Sequence, residues 1–414
     1  NTALGRATLY TNSTGSNNVA IGYNALNANQ TANDNVAIGY RTLVANTTGT
    51  SNVGVGASAL AANTTGDKNT ALGWHALDSN TTADKNTAFG YNTLETNTTG
   101  TRNTAVGSGA LSTINADDNT AVGSNCGDAI TSGARNTAVG SYALTTATTS
   151  SDTCAFGKDA LKNVTTTSGN NAFGKDALLT LSTGDNNCAF GTYTLDAATT
   201  TQWTVAMGNY AGTDVTTASQ CTLVGYEAGE NITTGDANTC IGFEAAANLT
   251  TGHNNTFIGR GNSASSVSTT YETVIASQQT GKGTETFLAG GGNGAYNQAN
   301  NSSWSTTSDR RIKKNITNNT TGLDKINQIT VRNFEYRTED EIIEDYPELT
   351  DVVKSAVVNK AGPQVGSIAQ EIEEVLPDVV RTSELGIKSV NTDNLTWYLI
   401  NAVKELSAEV EQLK

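Results

Sequence analysis

The stretch Trp304-Ser305-Thr306-Thr307-Ser308-Asp309-Arg310-Arg311-Ile312-Lys313-Lys314-Asn315-Ile316 gathers the residue types most able to do chemistry in this chain. A serine hydroxyl attacks a carbonyl only beside a base. Lysine serves as that base only where burial or nearby cations pull its pKa from about 10 towards 7–8. Arg310, Arg311 and Lys314 are such cations, and Lys313 follows Ser308 by five residues. Residue types alone also admit a blander account, in which Ser308-Asp309 opens a turn and the basic run is a solvated face. Elsewhere the candidates are thin. The acids Asp67, Asp84 and Asp185 are scattered over connectors, whereas glycosidases need a close carboxylate pair. Cys126, Cys154, Cys188, Cys221 and Cys240 show no C-x-x-C spacing, and His75 and His253 are the only histidines. The cysteines therefore read as small buried hydrophobes rather than metal ligands, and no metal or cofactor is expected.

Most of the chain that must carry this stretch is a repeat. The phrase Asn18-Val19-Ala20-Ile21-Gly22 recurs from Gly5 to Gly259 in sixteen copies at a period of 17, with one 16-residue step from Gly107 to Gly123. A short fixed period means one unit stacked on itself, each copy relying on its neighbours to bury its apolar face. A large apolar residue precedes every phase glycine, Ala usually stands two before it, Thr or Val three before and Asn four before. Side chains alternate across a strand, so the large residue shares a side with the Thr or Val while Ala points the other way. Leu usually stands four after the glycine, followed by an Asn-Thr-Thr-Gly connector whose Asn and Gly are expected to take the positive-φ turn positions. Two short strands and no helix fit in such a unit. The expected fold is mostly β: a narrow β-solenoid or β-roll shaft over 1–262, a rod of roughly 75 Å at one strand spacing per coil. A thin coil with two apolar faces turns one inward and the other towards sister chains, which predicts an oligomer.

Composition divides the chain. An apolar content of 36 % with 41 glycines suits a turn-rich solenoid, and no apolar run is long enough to span a membrane. The net charge of −15 argues against nucleic acid and anionic membranes as partners. No signal peptide opens the chain, and Asn1 enters in register with the repeat, so either the true N-terminus has been removed or an upstream part sits elsewhere, and any attachment domain would lie there. All three prolines, Pro347, Pro363 and Pro377, fall in 308–414, which sets a domain boundary near 308. Between them, 263–307 reads as a β connecting segment, with strands at Tyr271–Ala276 and Glu285–Ala289 that pair between chains. Beyond 308 the pattern is α/β: Val331–Tyr336 alternates like a strand, and Ile368, Ile372, Val375 and Leu376 fit one helical face ending at Pro377. Leu399, Val403, Leu406, Val410 and Leu413 keep a 4-3-4-3 step, which is either a coiled-coil seam or the inner face of a helix packed on its own domain.

The Trp304–Ile316 stretch, the run Val365-Gly366-Ser367-Ile368-Ala369-Gln370-Glu371 through Leu376-Pro377-Asp378-Val379-Val380, and the final helix together resemble the intramolecular chaperone (peptidase S74) domain of phage tail fibres and tailspikes. The repeats resemble tail-fibre shafts and, more loosely, the β-roll heads of trimeric autotransporter adhesins. The resemblance implies a homotrimer whose 308–414 domain templates shaft folding and then cuts itself off between Thr307 and Ser308. It implies Ser308 as nucleophile, Lys313 as general base and Asp309 in support. At most, then, the chain is a serine peptidase acting once on itself, with no external substrate. The implied setting is a virion tail fibre, made in the bacterial host cytoplasm, whose partners are upstream tail or baseplate proteins and a host-surface glycan or protein.

Aromatics just after the phase glycine, Tyr23, Tyr40, Trp74, Tyr91, Tyr226 and Phe243, form a row suited to stacking on glycans or on the next coil or chain. Three other classes compete. A capsule-degrading tailspike lacks its carboxylate pair, a bacterial trimeric adhesin lacks its membrane strands, and an ice-binding solenoid lacks an unbroken Thr array.

Overall fold

Three residues before each phase glycine form a strand, and that short strand is the repeated element of the shaft. In the computed structural model, which describes residues 1–290, 295–297, 310, 313–347, 362–382 and 386–414, the chain divides into two compact units, Asn1–Thr307 and Ser308–Lys414. In the first, β1 (Thr2–Leu4), β2 (Val19–Ile21), β3 (Val36–Ile38) and their successors to β16 (Thr256–Ile258) stack in parallel. Equivalent residues lie directly opposite, as in Val19↔Val36, Ala20↔Ala37 and Ile21↔Ile38. The unit is a parallel β-solenoid.

Each coil has one strand where two were expected. The leucine leg is instead a run of turns in which alternate residues take left-handed backbone, such as Asn24 (φ 57°) and Leu26 (φ 49°). It still bonds coil to coil, with Leu26 N–H donating to Thr42 O (3.0 Å) and Ala28 N–H to Val44 O (3.1 Å). Left-handed backbone costs a leucine about 1–2 kcal/mol, which full burial of its side chain, about 1.5–3 kcal/mol, offsets. Hydrophobic patterning reports burial and not the sign of φ, so this leg was misread.

The connector also works differently from expectation. Its Asn and Gly do not take the positive-φ positions, which fall instead on the phase glycine, the second and fourth residues after it, and the fifth before it. The connector asparagines point inward and stack: Asn46 Nδ2 donates to Asn29 Oδ1 (3.1 Å) and Asn63 Nδ2 to Asn46 Oδ1 (2.9 Å). A second ladder runs through the Asn before each strand, where Asn18 Oδ1 accepts from Asn35 N–H (3.0 Å) and Asn35 Oδ1 from Asn52 N–H (2.9 Å). These amides satisfy backbone groups that the narrow interior would otherwise leave unpaired. Connector glycines are required by space: a Cβ on Gly49 would meet the carbonyl oxygen of Gly66.

The strand alanine and the leucine fill the interior, and both are buried in coil after coil. The large residue before the glycine therefore faces outward, for example Leu72 at 50 % and Phe190 at 53 % exposure. Interior volume is conserved where the repeat drifts. Gly212 and Gly229 replace leucine, and Leu223 replaces the strand alanine between them. Its methyl carbons lie 2.6 and 2.8 Å from where a Cβ on each glycine would stand. Beyond β16, the stretch expected to be a connecting segment adds β17 (Thr273–Ile275) and β18 (Phe287–Ala289) in parallel to the same sheet, within the chain. β19 (Ala295–Asn297) then pairs antiparallel with β18.

Cys126, Cys221 and Cys240 are buried, as expected of small hydrophobes. Cys154 and Cys188 instead start strands on the outward side and are half-buried. Burial pushes the Cys126 thiol up to about 12 and the Cys221 thiol up to about 11. At pH 8 both are therefore protonated, and a thiol reagent is expected to leave them unlabelled until guanidinium unfolds the shaft, when all five react. Fast native labelling of Cys126, located by peptide mapping, would contradict this packing.

The second unit is α/β. β20 (Arg332–Phe334) pairs antiparallel with β21 (Gln364–Gly366), and β22 (Val380–Thr382) with β23 (Lys388–Val390). The helices are α1 (Leu323–Ile326), α2 (Glu339–Asp345), α3 (Ala369–Val375) and α4 (Thr392–Gln412), with a 3-10 turn at Pro377–Val379. Thr338 and Glu341 form a capping box at the start of α2. Ile372, Leu376, Val379 and Tyr398 form the small core.

Candidate functional site

The last helix carries two apolar stripes. One packs inward: Tyr398 and Ala402 are buried, and Leu395 lies against the core of Ile372, Leu376 and Val379. Polar ties fix that face. The Tyr398 hydroxyl donates to Asp378 Oδ2 (2.5 Å), which favours the neutral phenol and raises its pKa. Asn401 Nδ2 donates to Asn319 O (3.0 Å) and Thr321 O (3.2 Å), and Glu405 Oε2 accepts from the Leu323 N–H at the start of α1 (2.6 Å).

The other stripe is the heptad seam. Leu399, Val403, Leu406, Val410 and Leu413 are all exposed, Val403 at 65 % and Leu413 at 88 %. The domain's own core uses different residues of α4, so the seam is not the inner face of this helix. Trp397 and Ile400 widen the exposed stripe and were not singled out from the sequence. Their i, i+3 step, continued by Ile400 to Val403, was the signal available. At about 31 Å, α4 is long enough for several turns of helix-on-helix packing.

Thr307, Ser308 and Asp309 lie outside the described residues. Lys313 is described: it is exposed, and its N–H donates to Arg310 O (3.3 Å). Lys314 is exposed as well. A broad groove of about 710 Å³ opens between the β20–β21 pair and β23, lined by Phe334, Tyr336, Val365 and Ile368 among others.

Residues 308–381 match the family model Peptidase_S74, chaperone of endosialidase. This domain on a long β-solenoid fits a phage tail fibre or tailspike that carries an intramolecular chaperone. The matched span opens at Ser308 and ends within β22, so α4 lies beyond the family match. No curated protein and no solved structure matches the chain. Among the described residues, no helix is long and apolar enough to cross a membrane.

Proposed function

We propose that this chain is the distal part of a homotrimeric phage tail fibre, whose chaperone domain gathers three chains, templates the shaft and then cuts itself away. The observation that carries this reading is the chaperone match on a chain that leaves two apolar surfaces uncovered, the α4 seam and the outward row of large strand residues. Both are long and regular, as a parallel three-chain arrangement requires. Parallel stacks expose strand edges while they form, and a template holding three chains in register at one end suppresses mispairing. The shaft would then contact the host surface, and upstream tail or baseplate proteins would hold the fibre.

Self-cleavage follows the same logic. Ser308 would attack the Thr307 carbonyl, passing its proton to Lys313, while Asp309 orients the turn. Lys313 is exposed in the single chain. Trimer formation would enclose it beside Arg310 and Lys314 at the scissile bond, so the cut waits until three chains have assembled. Removing the template makes shaft unfolding irreversible, which is kinetic stability.

Intact mass and SDS gels, boiled and unboiled, test this on wild type, Ser308→Ala and Lys313→Ala. The expected wild-type product is a fragment ending at Thr307 that runs as an SDS-resistant trimer unboiled, and both variants stay full length. A wild type that stays full length and trimeric would leave the domain as a retained assembly cap with no enzymatic role.

A further inference from the structure

The last helix has a third side, which neither its own domain nor the heptad seam uses. At about 100° per residue, the side of Tyr398, Ala402 and Glu405 that holds the domain lies about 90° from the Leu399–Leu413 seam, and Trp397, Ile400 and Lys404 lie about 130° beyond the seam. Trp397 is 67 % exposed, and Ile400 and Lys404 are exposed as well. A tryptophan buries about 150–250 Å² when it is covered, and tryptophans dominate the energetics of the interfaces that cover them.

Threefold closure puts a neighbour on this side. With three seams on a common axis, each helix carries its own domain on one flank, and that domain reaches the opposite flank of the next helix. The contact is head to tail: one patch on a chain meets a different patch on the next, and three such contacts close a ring. The domain offers a matching patch. The groove of about 710 Å³ between the β20–β21 pair and β23 is lined by Phe334, Tyr336, Val365 and Ile368, and Val365 on its wall is 74 % exposed. Its volume falls among pockets of about 300–1,000 Å³ that enclose a whole ligand, which leaves room for an indole and an isoleucine side chain. No residue of α4 lines this groove, so the knob does not fill its own socket. Charge agrees with the pairing. Two charged lining residues are already matched, Arg337 with Asp345 and Lys388 with Glu373. The third, Glu335, is exposed and has no ion pair among the described residues, and the knob brings Lys404 beside Ile400.

We propose that Trp397 and Ile400 of one chain seat in the groove between β20–β21 and β23 of the next chain, with Lys404 against Glu335 at the rim. Three identical contacts then lock the chaperone domains into a ring around the α4 seam. The proposal rests on the reading that this domain gathers three chains, and it names a second pair of surfaces by which it does so.

The test uses the full-length chain carrying Ser308→Ala, so that the domain stays attached, with p-benzoylphenylalanine in place of Trp397 and, in a second protein, in place of Val365. Each is co-expressed as a mixture of ¹⁵N-labelled and unlabelled chains, irradiated, and mapped by peptide mass spectrometry, with sedimentation velocity to count chains. The expected result is a trimer in which the probe at 397 joins residues 332–337 or 364–369 of another chain, and the probe at 365 joins α4 of another chain. Mixed-isotope adducts identify the two chains. Lys404→Glu is expected to raise the concentration needed for assembly about tenfold, and Glu335→Lys in the same chain to restore it. A trimer that gives no adduct between these segments, or gives them within one chain only, overturns the groove contact and leaves the three-chain reading standing. A wild type that sediments as a monomer overturns both.

Discussion

Aspartate at Val403 and Leu406 together is expected to leave the chain monomeric and its shaft unassembled. Both side chains stand on the outer stripe of α4, away from Tyr398 and Ala402, so the chaperone domain itself still folds. A trimer seam built on these positions buries two apolar side chains per chain, each worth about 2 kcal/mol. Replacing them removes on the order of 10 kcal/mol per trimer and sets six like charges around one axis. Sedimentation velocity at micromolar concentration reads the change from trimer to monomer, and circular dichroism reports the loss of β-structure where untemplated shafts fail to register. Glu409→Ala, exposed on the same helix, is expected to leave the trimer intact. If the double variant sediments as wild type does, α4 is not the assembly element.

The second large effect belongs to the phase glycine. Gly191 has φ +142°, and a Cβ there would stand 2.5 Å from the carbonyl oxygen of Gly208 and 2.7 Å from Thr194 Oγ1. Gly191→Ala therefore combines backbone strain of about 1–3 kcal/mol with overpacking of about 1–3 kcal/mol. The clash falls between stacked coils, and each coil depends on its neighbours alone. The damage should be local: hydrogen exchange speeds up in the coils on either side of Gly191, while coils near Val36–Ile38 stay protected. Uniform protection along the shaft would show that the glycine is not needed for close approach.

These two positions mark what the sequence disclosed and what it hid. The phase glycines and the alternation of alanine with a large apolar residue were plain, because a strand has period 2 and a coil has a fixed length. Which face points inward was not, since both were apolar and only closure of the coil decides between them. Closure favours the small residue: alanine lets the strand approach the leucine leg, which leaves Ile38 or Phe190 outside. The inward asparagines were taken for turn residues because Asn suits both roles, and a single coil does not reveal that its amide is satisfied by the coil beside it. The continuation through β17 and β18 was hidden by Ala276, which stands where the phase glycine would have been. In the chaperone domain the helical step of Ile372, Val375 and Leu376 was legible, whereas Ile368, expected on the same face, stands before the helix in extended backbone and is exposed; the seam was legible too. Whether that seam was inner or outer needed Leu395 and Tyr398 placed in the core. The reading of Thr307–Asp309 rests on family resemblance alone, since serine, aspartate and lysine at that spacing are equally at home in a solvated turn and these three lie outside the described residues.

The most direct test of the account is the native mass of the assembled protein, measured by native mass spectrometry on freshly expressed full-length chain. The account predicts three copies of the 42.9 kDa chain, or three copies of the fragment ending at Thr307. A monomer or a dimer at micromolar concentration would contradict it.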